Sequence, residues 1–306
     1  MKEYEALIIG GGPAGITAAL YLLRAGVKMG WVEKLAPGGQ VLLTEAIDNY
    51  PGFPDGVKGY ELIDKFTDHL APFDFDKIRD EALRIETGSE LHKVILSEQE
   101  VLTKTLIICS GAQWRKLGVP GERKYMGRGV SYCAVCDGNF FRGQEIACIG
   151  GGDTALEESL YLSKLVSKIY LIHRRDKFRG TKFYQDKVLQ NPKIQVIYDT
   201  VATSFTGNEH LTGVNLKNVQ TEQESLLEVD GAFIFIGLDP AGGFFPSAIE
   251  TDSQGFITTD AEMMTSVPGI YAAGDIRSKH CRQVSTAVGD GATAAYNAWA
   301  YLEQHS

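Results

Sequence analysis

The chain has 306 residues, 44% of them hydrophobic and 23% charged, the balance of a globular protein of about two domains that can bury a real core. With 30 Lys and Arg against 39 Asp and Glu its formal net charge is -9, which argues against a nucleic-acid or anionic-membrane surface while leaving room for a local basic phosphate site. Its 5 cysteines, an odd number spread thinly, exclude a structural disulfide framework, and no apolar run is long enough to span a bilayer.

MKEYEALIIGGG runs directly into an apolar strand and a glycine turn without the pattern of a secretory leader, so a cytoplasmic protein is expected. The stretch ALIIGGGPAGITAALYLLRAGVKMGWVEK (residues 6–34) then reads as strand, glycine turn, amphipathic helix and second strand. In such a unit Gly10 permits the tight turn and Gly12 lets backbone N–H groups reach a pyrophosphate. Gly15 lets the helix pack on the strand, with the phosphates at its positive N-terminus. Glu33 closes the second strand, where a carboxylate accepts hydrogen bonds from a ribose 2′-hydroxyl and repels a 2′-phosphate; FAD or NAD is expected here.

TKTLIICSGA (103–112) reads as a buried strand ending in a turn, suited to be a crossing between domains. Next comes SYCAVCDG (131–138), whose Cys133 and Cys136 can close a disulfide across one helical turn. Half a zinc site is the rival reading, but Cys109 and Cys148 fall in predicted buried strands and the histidines are scattered, so no metal is expected. Asp137 reads either as a helix cap or as the acid that protonates a leaving thiolate.

ACIGGGDTALEESLYLSKLVSKIYLIHRR (147–175) repeats the first unit 140 positions on, with Gly150 and Gly152 in the places of Gly10 and Gly12, and Ala155 in that of Gly15. Where the first copy has Glu33 the second has His173, followed by Arg174, Arg175 and Arg179. Clustered guanidinium groups suit a 2′-phosphate by charge and fork geometry, so NADP(H) is expected; a solvated basic turn is the alternative. A second crossing, DGAFIFIGLDP (230–240), leads to VPGIYAAGDIRSKHCRQ and a helix with a small-residue-rich start. Having no glycine fingerprint of its own, this tail must complete the earlier domain. The expected fold class is therefore α/β, with two Rossmann-like three-layer dinucleotide-binding domains, the second inserted into the first. Their expected bounds are 1–113 with 244–306 for the FAD-binding domain, and 114–243 for the NADPH-binding domain with its C-x-x-C. A nicotinamide delivers hydride whereas disulfide reduction proceeds through thiolates, and a flavin joins the two; this logic puts FAD in the first site.

Over essentially its whole length the chain resembles the low-molecular-weight thioredoxin reductases of bacteria, which are NADPH-dependent. The resemblance rests on GGGPAG, PGGQ (37–40), DNYPGF (48–53), SYCAVCDG, GGGDTA, HRRDKFR, YAAGD (271–275) and RQV (282–284), in the family's order. It implies FAD contacts from Gly10, Gly12, Pro13, Ala14, Gly15, Glu33 and Lys34, and from Gly38, Gly39, Gln40 and Asn49. The tail adds Gly274, Asp275, Arg282, Gln283 and Val284. For NADPH it implies Gly150, Gly152, Asp153, Thr154, His173, Arg174, Arg175 and Arg179. Through the resemblance, Cys136 lies nearest the flavin, Cys133 attacks the substrate and Asp137 is the acid. A homodimer, a thioredoxin or thioredoxin-like partner, and rotation of one domain against the other are implied in the same way. Asp153 and Asp48 stand where the family more often has Asn and Glu, and Ser278–Cys281 matches no family signature. A dithiol oxidase would not need the arginine cluster, a ferredoxin–NADP reductase would lack the C-x-x-C, and a redox sensor would not turn over steadily.

Overall fold

Alternation along one strand lays out the first unit. β1 (Lys2–Ile9) buries Ala6 and Ile8 in one apolar cluster and Leu7 and Ile9 in another, as a strand covered on both faces must. The chain continues through α1 (Pro13–Arg24), β2 (Met29–Val32), α2 (Gly59–Asp68), β3 (Asp76–Ile78), β4 (Ala82–Glu86), β5 (His92–Leu96) and β6 (Glu100–Ile108). β2 and β6 flank β1 in parallel, with Ile9 opposite both Val32 and Ile108. β3 extends the parallel sheet beyond β2, while β4 and β5 form an antiparallel meander against the start of β6. The chain leaves β1 between neighbours reached in opposite directions, the place where open α/β sheets bind ligands. The computed structural model describes residues 1–44, 47 and 49–305, with Leu43 through its backbone alone; Asp48 of the DNYPGF motif lies outside the described residues.

The turn after β1 is built for close approach. Gly10 has φ +108, and a Cβ there would lie 2.3 Å from the Cys109 carbonyl oxygen. A Cβ on Gly15 would lie 2.0 Å from the Gly10 carbonyl oxygen, so α1 rests directly on the turn.

After the short β7 (Ala112–Trp114) the second unit begins with α3 (Glu122–Tyr125), β8 (Val130–Ser131), α4 (Ala134–Asp137), β9 (Glu145–Gly150), α5 (Asp153–Leu162), β10 (Lys168–Ile172) and α6 (Lys182–Gln190). It ends with β11 (Ile194–Ile197), β12 (Thr200–Gly207), β13 (Leu211–Asn218), β14 (Glu224–Glu228) and β15 (Gly231–Phe235), and β16 (Leu238–Pro240) straddles its end. Five strands in the order β11-β10-β9-β15-β8 make a parallel sheet. Ile146 and Cys148 pack toward Ala155 and Leu156 of α5; Ala147 and Ile149 pack toward Val214 and Leu216 of the antiparallel β12-β13-β14 sheet. The result is a helix, parallel-sheet and meander sandwich, the architecture of the first unit used again.

The chain then returns to the first unit. β17 (Ile270–Ala272) pairs in parallel with the end of β6, Ala272 opposite Ile108. α7 (Val284–Gln304) lies along α1 on small residues, and a Cβ on Gly291 would meet the Ala14 carbonyl oxygen at 2.2 Å. Grouped by contacts, Met1–Gln113 with Asp239–Ser306 form one unit and Trp114–Leu238 the other; the second boundary follows the Gly237 turn (φ +118). Among the described residues no helix is long and apolar enough to cross a membrane.

Candidate functional site

Among the described residues, α1 and α5 each begin on a glycine and without a side-chain cap. Gly12 caps α1 and Gly152 caps α5, neither with a side-chain hydrogen bond, and a Cβ on either would enter open space. The unpartnered N–H groups and the helix dipole make each an anion cradle.

Around the first cradle the structure gathers residues from across the first unit. Glu33 accepts the Gly11 N–H through Oε2 at 2.6 Å and the Leu35 N–H through Oε1 at 2.8 Å. The Gly38 N–H donates to the Gly11 carbonyl at 2.6 Å, and a Cβ on Gly39 would lie 3.6 Å from the Gly12 Cα. Pro13 opens α1 in a position where its missing N–H costs nothing, and Ala14 follows against Gly274, whose added Cβ would lie 2.9 Å from that of Ala14. Gln40 donates to the Ala112 carbonyl, and Asn49 donates to Gln283 Oε1 at 3.1 Å. Gln283 and Thr286 form a capping box that starts α7 at Val284. Lys34 points away, paired with Glu81 at 2.7 Å. The Arg282 guanidinium donates to the carbonyls of Lys279, Arg277 and Asp275 at 2.7, 3.1 and 3.4 Å, and lies over Phe256; it holds a loop together.

Sequence reading missed what supports that loop. Asp290 accepts from Arg277 at 2.9 Å, from Lys279 at 3.0 Å and from the Gly274 N–H at 3.1 Å. Lys279 sits in the stretch without family signature, and nothing in a single sequence ties it to a residue on the next helix. Beside this network Asp275 Oδ1 is buried and, among the described residues, accepts no hydrogen bond; Lys279 Nζ lies 3.7 Å away as its ion-pair partner, yet burial raises the carboxyl above the usual range. A buried oxygen that accepts no hydrogen bond costs about 1–3 kcal/mol, which a ligand hydroxyl would relieve. The open cradle, the Glu33 carboxylate and this oxygen fit the phosphates and hydroxyls of a dinucleotide such as FAD.

The second cradle is fringed by positive charge. Arg174, Arg175 and Arg179 are exposed, and among the described residues none of them is in a salt bridge. Asp153 heads α5 and fixes the Thr181 N–H at 2.7 Å; Thr154 follows it, exposed. His173 is turned inward, its ring nitrogens 3.0 Å from the Gly150 carbonyl and 2.9 Å from that of Lys177. So the position that carries a carboxylate in the first unit carries a buried imidazole in the second. The open turn and unpaired guanidiniums fit a phosphorylated dinucleotide such as NADPH.

In the second unit Cys133 and Cys136 form a disulfide with Cα atoms 5.3 Å apart. Cys133 caps α4, and its Sγ accepts the Cys136 N–H at 3.2 Å, a contact that favours a thiolate there once the bond is reduced. Asp137 accepts from the Ser131 hydroxyl at 2.5 Å, and that hydroxyl also accepts the Cys133 N–H at 3.1 Å. Ser131 thus links the carboxylate to the dithiol turn, a role its place two residues before Cys133 could have suggested. Burial pushes the Cys148 thiol up to about 12 and that of Cys109 higher still, leaving both inert; Cys281 is exposed.

A dinucleotide fold used twice in one chain, the second copy carrying a Cys-x-x-Cys disulfide, defines a class, the flavin-linked disulfide oxidoreductases. The pyridine nucleotide-disulphide oxidoreductase family model matches residues 4–291, and the chain belongs to that family. Within it the chain is similar to thioredoxin reductases. Those of Listeria monocytogenes and Bacillus subtilis are each 41% identical over 304 residues, covering 99% of this chain and 95% and 96% of those relatives. The crystal structure of the Streptococcus pyogenes thioredoxin reductase is 44% identical with a TM-score of 0.95, covering 99% of each chain.

Proposed function

We propose that this protein is an NADPH-dependent thioredoxin-disulfide reductase using FAD. The observation that carries the reading is the Cys133–Cys136 disulfide at the head of α4, in the same unit as a dinucleotide cradle. Full-length similarity to thioredoxin reductases supplies the substrate class. A bound FAD would supply the two-electron chemistry that links hydride from NADPH to the disulfide.

In this reading Gly10–Gly15, Glu33, Gly38–Gln40, Asn49 and the Gly274–Val284 segment hold FAD, Lys34 and Arg282 through backbone and loop order. Gly150–Thr154 and Arg174, Arg175 and Arg179 hold NADPH. The Cys133 thiolate, favoured by the Cys136 N–H, attacks one sulfur of the oxidised thioredoxin disulfide. The displaced sulfur leaves as a thiolate and takes a proton, which Asp137 is placed to hold against Ser131. Cys136 then attacks Cys133 Sγ, restoring the intramolecular disulfide and releasing the second thioredoxin thiol. The protein works in the cytoplasm as a homodimer, as the family resemblance implies.

Anaerobic NADPH oxidation by the purified protein, with and without oxidised thioredoxin, tests this. Multiple turnovers dependent on thioredoxin are expected; a single flavin reduction that then stops would refute thioredoxin as acceptor. Two substitutions follow. Asp137→Asn should lower turnover with thioredoxin roughly 10- to 100-fold while leaving the KM for NADPH within about threefold, in stopped-flow and steady-state assays. Glu33→Ala loses a charge-assisted acceptor worth about 1.5–3 kcal/mol, so FAD affinity should fall at least about tenfold. Flavin fluorescence on titrating the apoprotein measures that, and unchanged affinity would show that the turn and tail suffice.

A further inference from the structure

The imidazole of His173 lies between two groups that only accept hydrogen bonds: Nδ1 is 3.0 Å from the Gly150 carbonyl and Nε2 is 2.9 Å from the Lys177 carbonyl. A neutral ring donates to one and turns a lone pair on the other, whereas imidazolium donates to both. The two carbonyls belong to the two halves of the second cradle, Gly150 to the glycine turn and Lys177 to the loop carrying Arg174, Arg175 and Arg179. The same halves are laced by the Arg179 and Gly180 N–H groups on the Gly151 carbonyl, at 2.8 and 3.2 Å, and by Thr181 N–H on Asp153. The ring packs directly on the turn: a Cβ on Gly151 would be 2.1 Å from Nδ1.

Two effects oppose a charge on this ring. It is 5% exposed, and burial lowers its basicity most; the Lys177 and Gly150 carbonyls raise it, and Arg179 and Arg175 of its own loop lower it by a smaller amount. From the head of α5, Asp153 is engaged by Thr181; after β11, Tyr198 lies behind Phe178, whose ring is 5.3 Å from that of His173. The arginine repulsion is the influence that an anion bound on that loop would offset.

Resting on the reading of that loop as a 2′-phosphate site, we propose that His173 is the positioning residue that sets the arginine loop against the glycine turn, and that it takes up a proton when a 2′-phosphate binds. A dianionic phosphate monoester on the arginines offsets their repulsion, which adds to burial in opposing a charge on the ring. Imidazolium then donates to both carbonyls, which already lie within hydrogen-bond distance, and fastens the loop to the turn. Binding raises the basicity of His173, so by linkage the extra affinity is complete below its pKa in the free protein and is lost as pH rises through its pKa in the complex. A dinucleotide without the 2′-phosphate puts no charge on the arginine loop and keeps only what its pyrophosphate contributes at the turn.

The test is the Cε1–H resonance of His173 in the FAD-loaded protein, assigned through its backbone and titrated from pH 5 to 9 with saturating NAD⁺ or NADP⁺, at phosphate-free low salt. With NADP⁺ the midpoint should stand at least about one pH unit above that with NAD⁺, a tenfold linkage. Equal midpoints overturn the proposal. In parallel, His173→Gln should weaken NADP⁺ binding about tenfold near pH 7, where one charge-assisted bond is lost, and flatten the slope of affinity against pH above that point. A slope equal to that of the natural protein overturns it too. If the natural protein binds NADP⁺ no more tightly than NAD⁺, the 2′-phosphate reading itself falls; preferential NADP⁺ binding with a fixed midpoint removes only the role of His173.

Discussion

Replacing Cys133 with serine should abolish thioredoxin reduction, by about a thousandfold or more, while NADPH still reduces the bound flavin. The split follows from where the residue acts. Sγ of Cys133 is the sulfur that accepts the Cys136 N–H, and a serine hydroxyl at that cap stays protonated and unreactive where a thiolate would form. The cap hydrogen bond survives in the variant, so α4 and the second unit should remain folded. Nothing in the dinucleotide cradles changes, and flavin bleaching by NADPH should proceed at close to its normal rate. Cys136→Ser is the useful companion. It leaves the Cys133 thiol able to form a mixed disulfide with thioredoxin that cannot resolve, and that species should accumulate on a non-reducing gel. Retained thioredoxin turnover in Cys133→Ser would sink the dithiol assignment.

Neutralising Arg174, Arg175 and Arg179 together should lower kcat/KM for NADPH by about 10²- to 10⁴-fold and that for NADH by less than about threefold. All three side chains are exposed and, among the described residues, none is held in a salt bridge, so their removal breaks no internal pair. Their charge is available to a ligand. An exposed site is screened by ions, so the natural preference for NADPH should itself shrink as salt is raised from 0.05 to 0.5 M, roughly a threefold shorter Debye length. Equal losses for the two dinucleotides would show that the loop is a solvated basic turn.

Much of this was legible in the residues because it depends on spacing along the chain. A glycine turn between a strand and a helix is a local device, and so is its repeat 140 positions on; β1–α1–β2 and β9–α5–β10 follow from it. The C-x-x-C spacing likewise brings two sulfurs within bonding reach on one short helix. Glu33 and His173 were marked as equivalent positions by count alone, yet the count could not say that one side chain accepts from its turn's N–H while the other packs against its turn's carbonyl. Asp137 was left between cap and acid, and its partner proved to be Ser131 on the preceding strand.

What only the tertiary structure decided lies in contacts without a period. That the tail adds β17 to β6 and lays α7 on α1 depends on Gly291 meeting Ala14 across the whole length of the first unit. The Asp290 network joins a loop to a helix through side chains whose types are common anywhere on a surface. Its charges become informative only through burial, because desolvation makes an oxygen without a hydrogen bond, such as Asp275 Oδ1, costly and so points to a missing donor. The sequence by itself determined the two cradles, the dithiol and the arginine loop, since each is written within a few residues of backbone. Folding decided which carbonyls His173 faces and which oxygen is left waiting, since both depend on distance through space and on exclusion of water.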